Sequence, residues 1–223
     1  MNDSMNDIKG FPQTIRRLPR YYQVFEALQD HGIENITSSE IAPLFHQKPA
    51  QVREDVSRCG VTGVASVGYN VVSVRKRITK LLGIGKGYSA ILIGTDGIGP
   101  AVVESNVLDA YGLVFQGVFD KDVKSDCREV KGHSIQKLSE VVSFIKTHHT
   151  DIAILAVDSH SAHSTATLLI DAGIRAIWNL TDADIVTKSS VIIESVSILD
   201  SIRMLSFRMN RCGDLPYLLE AEA

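Results

Sequence analysis

Cysteine is scarce in this sequence: the three residues, Cys59, Cys127 and Cys212, lie far apart and form no CxxC pair. Such spacing excludes a zinc ribbon and an even disulfide framework, and it favours a reduced, cytoplasmic compartment and a protein without a metal site. Long apolar runs are also lacking, since no stretch approaches the roughly 18 residues that predict a membrane span. The first ten residues carry two acids and no apolar segment, so we expect no secretory signal and no membrane partner.

An excess of charge of one sign is absent overall, but the charge is unevenly distributed. The formal net charge is −3, with 11 basic and 8 acidic residues in 1–85 against 12 and 18 in 86–223. The first part is therefore basic and the remainder acidic, which suggests two units and favours a polyanionic partner for the first. A length of 223 residues with 44% hydrophobic content suits one large or two small globular domains.

The first third of the chain is predicted to form helices followed by a β-ribbon. An amphipathic stretch ends near Gly32, Thr37 and Glu40 offer a capping box for a second helix, and a third helix runs from Pro49 to a stop at Gly60. The segment GVTGVASVGYNVVSV that follows predicts two short strands joined by a turn. This order is typical of a winged helix-turn-helix; a small helical cap domain is the alternative.

The remaining chain alternates apolar strands with amphipathic helices, which predicts a doubly wound parallel sheet of the Rossmann type. We expect strands at 89–93, 113–119, 152–157, 174–178 and 191–196, and helices near 101–103, 135–145 and 160–172. A terminal helix, Ile198–Met209, is apolar over a wide face. Such a helix must pack either on its own sheet or on a second subunit.

A glycine-rich turn, Gly94-Thr95-Asp96-Gly97-Ile98-Gly99, follows the first strand of this sheet. Dinucleotide-binding turns read G-x-G-x-x-G, so Asp96 stands where the middle glycine lets the backbone approach a pyrophosphate. The carboxylate adds bulk and like charge at that point. Asp120, 21 residues after Gly99, ends the next strand, where an acid binds the adenine ribose of NAD. The turn and Asp120 are therefore a candidate NAD(H) site.

Several segments resemble the Rex family, bacterial redox-sensing transcriptional repressors that bind operator DNA and release it when NADH rises. They span about residue 15 to residue 209: RLPRYY at 17–22, SSE at 38–40, AQVRxD at 50–55, the glycines 60, 63 and 68, and AGIxAIxN at 172–179. The resemblance implies an α/β protein that is not an enzyme. It implies a winged-helix DNA-binding domain at 1–85, a Rossmann-like domain at 86–196, and a dimerisation helix and tail at 197–223, exchanged between the subunits of a homodimer.

The resemblance and the basic residues of the first helices together predict the contacts to double-stranded operator DNA. The predicted residues are Arg16, Arg17, Arg20, Ser38, Ser39, Gln51, Arg53, Arg58 and Tyr69. Two positions depart from the family at this interface, with Glu54 in place of Lys and Ala65 in place of an Arg of the wing. Since a lost phosphate contact weakens binding to every sequence and a reversed charge adds repulsion, we expect weaker DNA binding or an altered sequence preference.

The sensing half departs further from the family. Asp96, Asp158, His163 and Asp182 replace family residues around the nucleotide, and Gln23, Ser105 and Ser197 replace the Arg, Tyr and Asp of its ionic switch. Two hypotheses therefore remain beside each other. One is an NADH-responsive repressor; the other is a paralogue insensitive to NADH, acting constitutively, through another ligand or with an authentic Rex subunit. A third hypothesis is a small NAD-dependent oxidoreductase. It would need a general acid or base in the cleft, and His160 and His163 are the only plausible histidines for that role.

Overall fold

The computed structural model describes residues 12–123, 129–187 and 190–212. By its contacts the chain separates into two units, Met1–Lys86 and Gly87–Ala223, and each has its own apolar core. Cys127 and the predicted tail beyond residue 212 lie outside the described residues.

The first unit is helical with a small β-ribbon. Its elements are α1 (Pro12–Asp30), β1 (Asn35–Ile36), α2 (Ser38–Ile41) continued by a 3-10 turn (Ala42–Phe45), α3 (Pro49–Arg58), β2 (Tyr69–Asn70) and α4 (Val71–Leu82). The capping box forms as predicted, because the Thr37 hydroxyl accepts from the Glu40 backbone N–H and the Glu40 carboxylate accepts from the Thr37 N–H. α2 and α3 form the helix-turn-helix.

The predicted two-stranded wing is only partly formed. A single bridge joins Val64 to Gly68, while β2 pairs antiparallel with β1 rather than with a second wing strand. The Asn70 side chain accepts from the Ser73 backbone N–H and begins α4, so the valines that follow enter a helix. Gly68 has a φ of +93°, and a Cβ there would lie 2.3 Å from the Ile36 carbonyl oxygen. Residue 68 can therefore pack this closely against β1 only if it is glycine.

The second unit is a seven-stranded sheet between helices. Its elements are β3 (Ser89–Ile93), α5 (Gly99–Glu104), α6 (Val107–Ala110), β4 (Val114–Asp120), β5 (Glu129–Val130), β6 (His133–Lys137), a 3-10 turn (Leu138–Glu140), α7 (Val141–His148), β7 (Ile152–Leu155), α8 (Ser159–Ala172), β8 (Ala176–Asn179), β9 (Ile192–Ser195) and α9 (Ile198–Cys212). The strand order is β5-β6-β4-β3-β7-β8-β9, parallel except for β5. Without β5, this is the Rossmann order, with its switch point between β3 and β7.

One predicted helix of the second unit was wrong at its beginning. Residues 135–137 belong to β6, which pairs with β4 through Val118 and Ile135, and α7 begins only at Val141. The apolar residues 135 and 138 fit a helical period by coincidence, and pairing with the sheet decides between the two structures. The remaining strands and helices lie close to their predicted positions, and α9 extends three residues beyond the predicted end.

Candidate functional site

α3, the second helix of the helix-turn-helix, has one buried and one exposed face. The buried face consists of Val52, Asp55, Val56 and Cys59. The exposed face, which we name the recognition face, consists of Ala50, Arg53, Glu54 and Ser57. Both sets follow the i, i+3, i+4, i+7 spacing of one side of a helix. Because the second helix of this motif enters the major groove, the recognition face is the surface that is available to base edges.

A buried carboxylate fixes α3 against α1. Asp55 is 1% exposed and accepts hydrogen bonds from the Thr14 hydroxyl at 2.9 Å, from Nε and Nη2 of Arg17 at 2.7 Å each, from the Tyr21 hydroxyl at 3.1 Å and from the Gln51 amide at 3.2 Å. Burial raises the pKa of Asp55, but the hydrogen bonds and the Arg17 charge outweigh it and hold the pKa below its ordinary value. Asp55 is therefore ionised at neutral pH and ties both helices together.

The Glu54 carboxylate accepts hydrogen bonds from two residues that were predicted to contact DNA. Its Oε1 accepts from Nη2 of Arg58 at 2.5 Å and its Oε2 accepts from Nε2 of Gln51 at 3.3 Å. Arg58 also donates from Nη1 to the Thr14 hydroxyl at 3.2 Å, so the pair is attached to α1. The Glu54 side chain nevertheless stays 50% exposed.

The other predicted DNA contacts that remain at the surface lie near the start of α2 and along α1. Arg53 donates from Nη1 to the Ser38 hydroxyl at 3.1 Å, which places two predicted contacts side by side. Arg20 donates to the Leu44 carbonyl at 2.9 Å, so its guanidinium lies over the 3-10 turn. Two further predicted contacts are exposed: Arg16 and Ser39.

Two residues that were predicted to contact DNA also make structural contacts within the domain. Arg17 forms the ion pair with the buried Asp55, so its guanidinium is committed within the domain. Tyr69 is 7% exposed, and its ring lies so close to Gly63 that a Cβ there would be 2.9 Å from it. The wing turn beyond exposes Ala65 and carries no basic residue between positions 61 and 70. Arg17 and Tyr69 therefore also support the DNA-binding helices from within the domain, and their contacts to DNA stay predictions.

A cleft of about 570 Å³ opens at the carboxyl ends of the parallel strands in the second unit. Residues 94–98 of the glycine-rich turn line it together with Asp120. The other lining residues come from the end of β3, the segment after β4, Leu138, the segment after β7, the first half of α8 and the segment after β8. This is the switch point at which Rossmann domains bind their ligands.

The glycine-rich turn packs as a dinucleotide turn does. Gly94 has a φ of +95°, and a Cβ there would lie 2.4 Å from the Ala156 carbonyl oxygen. A Cβ on Gly99 would lie 2.6 Å from the Ala156 Cβ, so α5 can approach the sheet only with glycine at this position. The first and third glycines therefore fulfil their expected roles. Asp96 lies between them, exposed on the loop.

Asp120 lies where the sequence placed it, at the end of β4, but its oxygens are already in use. Oδ2 accepts from the backbone N–H of Thr95 at 2.7 Å and from the Thr95 hydroxyl, and Oδ1 accepts from the Asp122 N–H at 3.0 Å. Burial raises the pKa of Asp120, and these hydrogen bonds more than reverse the effect, so the pKa lies below its ordinary value. The carboxylate thus holds the glycine-rich turn against β4.

Carboxylates dominate the charge of the cleft. Among the residues that the structure describes, its lining contains one basic residue, Lys121, and five acids: Asp96, Asp120, Asp122, Asp158 and Asp182. Asp158 caps α8, because it accepts from the backbone N–H groups of His160 and Ser161 and from the Ser161 hydroxyl. These hydrogen bonds hold the pKa of Asp158 below its ordinary value. The positive end of α8 is therefore already satisfied by a carboxylate of the chain itself.

The three switch positions hold neutral side chains with local contacts. Gln23 is exposed on α1, and the Ser105 hydroxyl donates to the Val102 carbonyl of its own helix at 2.6 Å. The Ser197 hydroxyl accepts from the Asp200 N–H at 3.0 Å and donates to Asp182 at 3.4 Å. None of these side chains carries a charge, so an ionic switch cannot form between them.

The terminal helix α9 exposes an apolar surface. Every residue from 198 to 210 is exposed, and the large apolar side chains among them are Ile198, Leu199, Ile202, Met204, Leu205, Phe207 and Met209. Isolated helices of this length are marginal in water, and a contiguous exposed apolar face marks an interaction surface.

Sequence reasoning missed the Asp55 cluster, although the sequence contained a signal for it. Asp55 falls among Val52, Val56 and Cys59 on the apolar side of α3, and a carboxylate on a buried helical face requires a cationic partner. Arg17 was available on α1, but only the packing of the two helices shows that it is this partner.

The thiol of Cys59 lies on the same face, and burial raises its pKa to about 11, so it is unreactive.

A helix-turn-helix with a wing, joined in one chain to a Rossmann domain with an open ligand cleft, defines a ligand-responsive DNA-binding regulator. Two family models match the two halves: "Putative DNA-binding protein N-terminus" over residues 12–57 and "CoA binding domain" over residues 86–183. The redox-sensing transcriptional repressors Rex of Caldanaerobacter subterraneus subsp. tengcongensis and Caldicellulosiruptor saccharolyticus are 34% and 33% identical over 88% of this chain and 88% and 90% of theirs. The chain belongs to the Rex family of redox-sensing transcriptional repressors.

Solved structures support the same assignment. RSP, a Rex-family repressor, is similar in its complex with β-NAD+ and operator DNA, with a TM-score of 0.84 and 32% identity over 89% of this chain and 91% of that one. Its complex with β-NADH has a TM-score of 0.79 and 31% identity over 89% and 93%.

These findings confirm the predicted family and fold class. The exchange of the terminal helix stays a prediction. The comparisons also decide against the oxidoreductase alternative, since the relatives are transcriptional repressors. In addition, neither His160 nor His163 is among the described residues that line the cleft. Among the described helices, none is long and apolar enough to cross a membrane.

Proposed function

We propose that this protein is a cytoplasmic, homodimeric repressor that binds operator DNA and takes NAD(H) as its effector. In this proposal residues 1–85 bind DNA, residues 86–196 hold the effector, and residues 197–223 form the dimer. The observation that carries it is the clamped helix α3: the buried Asp55 fixes it on α1, while its opposite face stays exposed. A fixed helix with an exposed polar face is what base reading in a major groove requires.

The DNA contacts divide into two groups by chemistry. Arg53 and Gln51 carry the donors that can read guanine and adenine edges in the major groove. The remaining surface contacts fit phosphate groups, which position the domain without reading sequence: Arg16, Arg20, Arg58, Ser38 and Ser39. Relatives support the operator as the partner, since RSP was crystallised with operator DNA.

The cleft has features that suit the binding of a dinucleotide and others that disfavour its ribose and diphosphate groups. Its position at the switch point and the packing of Gly94 and Gly99 suit a dinucleotide turn, and Asp120 lies where the adenine ribose would bind. The ribose hydroxyls must, however, compete with the hydrogen bonds that Thr95 makes to Asp120. The diphosphate would meet Asp96 and the other cleft carboxylates. We therefore expect NAD(H) to bind in this cleft more weakly than it would without Asp96.

The second subunit is proposed from α9. A helix without a buried residue between positions 198 and 210 gains stability only by docking on another surface. Its stripe of Ile198, Ile202, Leu205 and Met209 follows helical spacing, which suits a second copy of the same domain. Exchange of this helix between subunits would cover the stripe.

A second candidate, a repressor insensitive to NADH, is favoured by the switch positions. Gln23, Ser105 and Ser197 are uncharged, and the Ser105 hydroxyl is satisfied within its own helix. In this case the protein would occupy its operator constitutively, respond to another ligand, or act through pairing with an authentic Rex subunit. Cleft occupancy and DNA release must therefore be measured separately.

The test starts from selection of DNA by the full-length protein from a random library. Affinity for the selected sequence is then measured by fluorescence anisotropy without nucleotide, with NAD+ and with NADH. Titration calorimetry of the same nucleotides measures binding to the cleft. We expect the protein to select a palindromic site and to release this DNA when NADH is added. NADH binding without release would support the second candidate, and failure to select any sequence would refute the proposed DNA-binding function.

A further inference from the structure

The recognition face of α3 combines opposite charges at its centre. Arg53 and Glu54 are neighbours on the exposed stripe that also holds Ala50 and Ser57. Only the middle of such a stripe reaches the floor of the major groove, while its edges meet phosphates. A carboxylate that faced phosphates would oppose binding to every DNA sequence, so the position of Glu54 on the stripe determines its effect.

Glu54 is held in place before DNA binds. Arg58, one helical turn later, donates to its Oε1, and Gln51, three residues earlier, donates to its Oε2. Both donors have a second attachment in the buried network: Arg58 donates to Thr14 and Gln51 donates to Asp55. The carboxylate is therefore preorganised although its side chain is 50% exposed, and little conformational entropy is lost when it makes a contact.

The chemistry of the groove selects the base that this carboxylate can accept from. A carboxylate has about four lone-pair sites, so Glu54 retains acceptor capacity beside its two intramolecular hydrogen bonds. Guanine and thymine present acceptors in the major groove and repel it, whereas adenine presents an amino donor next to the acceptor N7. Cytosine presents its N4 amino donor without a neighbouring acceptor on the same base.

We propose that Glu54 is a specificity-determining residue, whose carboxylate accepts a hydrogen bond from the N4 amino group of a cytosine in each half of the operator. Arg53 lies beside it with donors for a guanine edge, so together they select a cytosine next to or paired with a guanine. Arg58 neutralises part of the negative charge, which makes the carboxylate tolerable close to DNA. This inference rests on the proposed operator binding.

The test uses the full-length protein and the operator selected by it. Every base pair of a half-site is replaced in turn, and affinities are measured for the wild type, Glu54→Ala, Glu54→Gln and the control Glu34→Gln. Glu34 is exposed outside α3, so its substitution removes the same charge away from the recognition face. Hydrogen exchange of the α3 backbone amides is measured in each variant as a control that the helix is retained.

We expect one position per half-site at which replacing cytosine weakens wild-type binding about 5- to 150-fold, as for a good base contact. Glu54→Ala should lose this preference at that position alone. Glu54→Gln should shift it toward adenine, because an amide can donate to N7 and accept from N6. Glu34→Gln should keep the wild-type profile.

The inference is overturned if both Glu54 variants bind all sequences more tightly by the same factor and retain every base preference, since Glu54 would then act as a repulsive charge only. A wild-type protein that selects no DNA sequence would instead refute the proposed function. A selected operator without a cytosine preference in either half-site would overturn the inference alone.

Discussion

Replacing Asp55 by Asn tests the clamp on which the DNA interface depends. The substitution keeps the shape of the side chain but removes the charge that pairs with Arg17. It also replaces one of the two oxygens that accept from Thr14, Tyr21 and Gln51 by an amide donor. Breaking a buried ion pair from one side costs about 3–5 kcal/mol. Arg17 is 27% exposed, so water compensates part of its lost partner, and we expect about 2–4 kcal/mol.

Hydrogen exchange of the α3 amides measures this loss where it occurs. A cost of about 2–4 kcal/mol corresponds to about 30- to 700-fold faster exchange when opening limits protection. The amides of β3, in the other unit, should keep their wild-type rates and serve as an internal reference. The matched control is Asp30→Asn, an exposed acid at the end of α1, which should change stability by less than about 0.5 kcal/mol.

The exchange data can refute the reasoning directly. Acceleration of the α3 amides by less than about threefold in Asp55→Asn would show that the network contributes little to holding the helix. DNA affinity should fall together with protection, because an unclamped α3 must be ordered again on binding. Lower DNA affinity with unchanged protection would instead show that Asp55 supports DNA binding by a route other than the ordering of α3.

Three further predictions concern acid stability, the cleft and the dimer. Since the pKa of Asp55 is lowered in the folded protein, its contribution is present above the ordinary carboxyl pKa of about 4 and is lost as pH falls through the lower folded value; wild-type α3 protection should fall below about pH 4, and a parallel fall in Asp55→Asn would contradict this. Asp96→Gly should tighten NADH binding by at least about tenfold in calorimetry, and unchanged affinity would show that Asp96 lies away from the diphosphate. Leu205 is 60% exposed on α9; Leu205→Glu should shift the sedimentation of the proposed dimer to that of a monomer, whereas Asn210→Glu on the opposite side of α9 should not.

The local elements could be read from the sequence wherever one short-range rule decides. The capping box of Thr37 and Glu40 and the start of α3 at Pro49 depend on neighbours within one turn. The same short range explains two errors. A strand was predicted after Asn70, although the side chain of Asn70 caps a helix, and a helix was predicted from Ile135, although pairing with β4 places it in a strand.

The candidate sites divide in a similar way. The position of Asp120 at the end of its strand followed from the sequence, but its engagement by Thr95 depends on how the turn folds over β4. Arg17 and Tyr69 had the chemistry of DNA contacts, and only packing shows that one serves the buried Asp55 and the other the core.

The sequence by itself determined the two-unit α/β organisation, because periodicity, turn chemistry and spacing are local properties of the chain. Its resemblance to the Rex family supplied the residues that depart from that family. The tertiary structure decided which polar groups are free and which are committed. Asp55 and Arg17 lie 38 residues apart, and hydrogen bonds across such separations arise only when helices pack. The exposure of Glu54 between Arg58 and Gln51 also depends on how α3 docks on α1, which the order of residues along one helix does not specify.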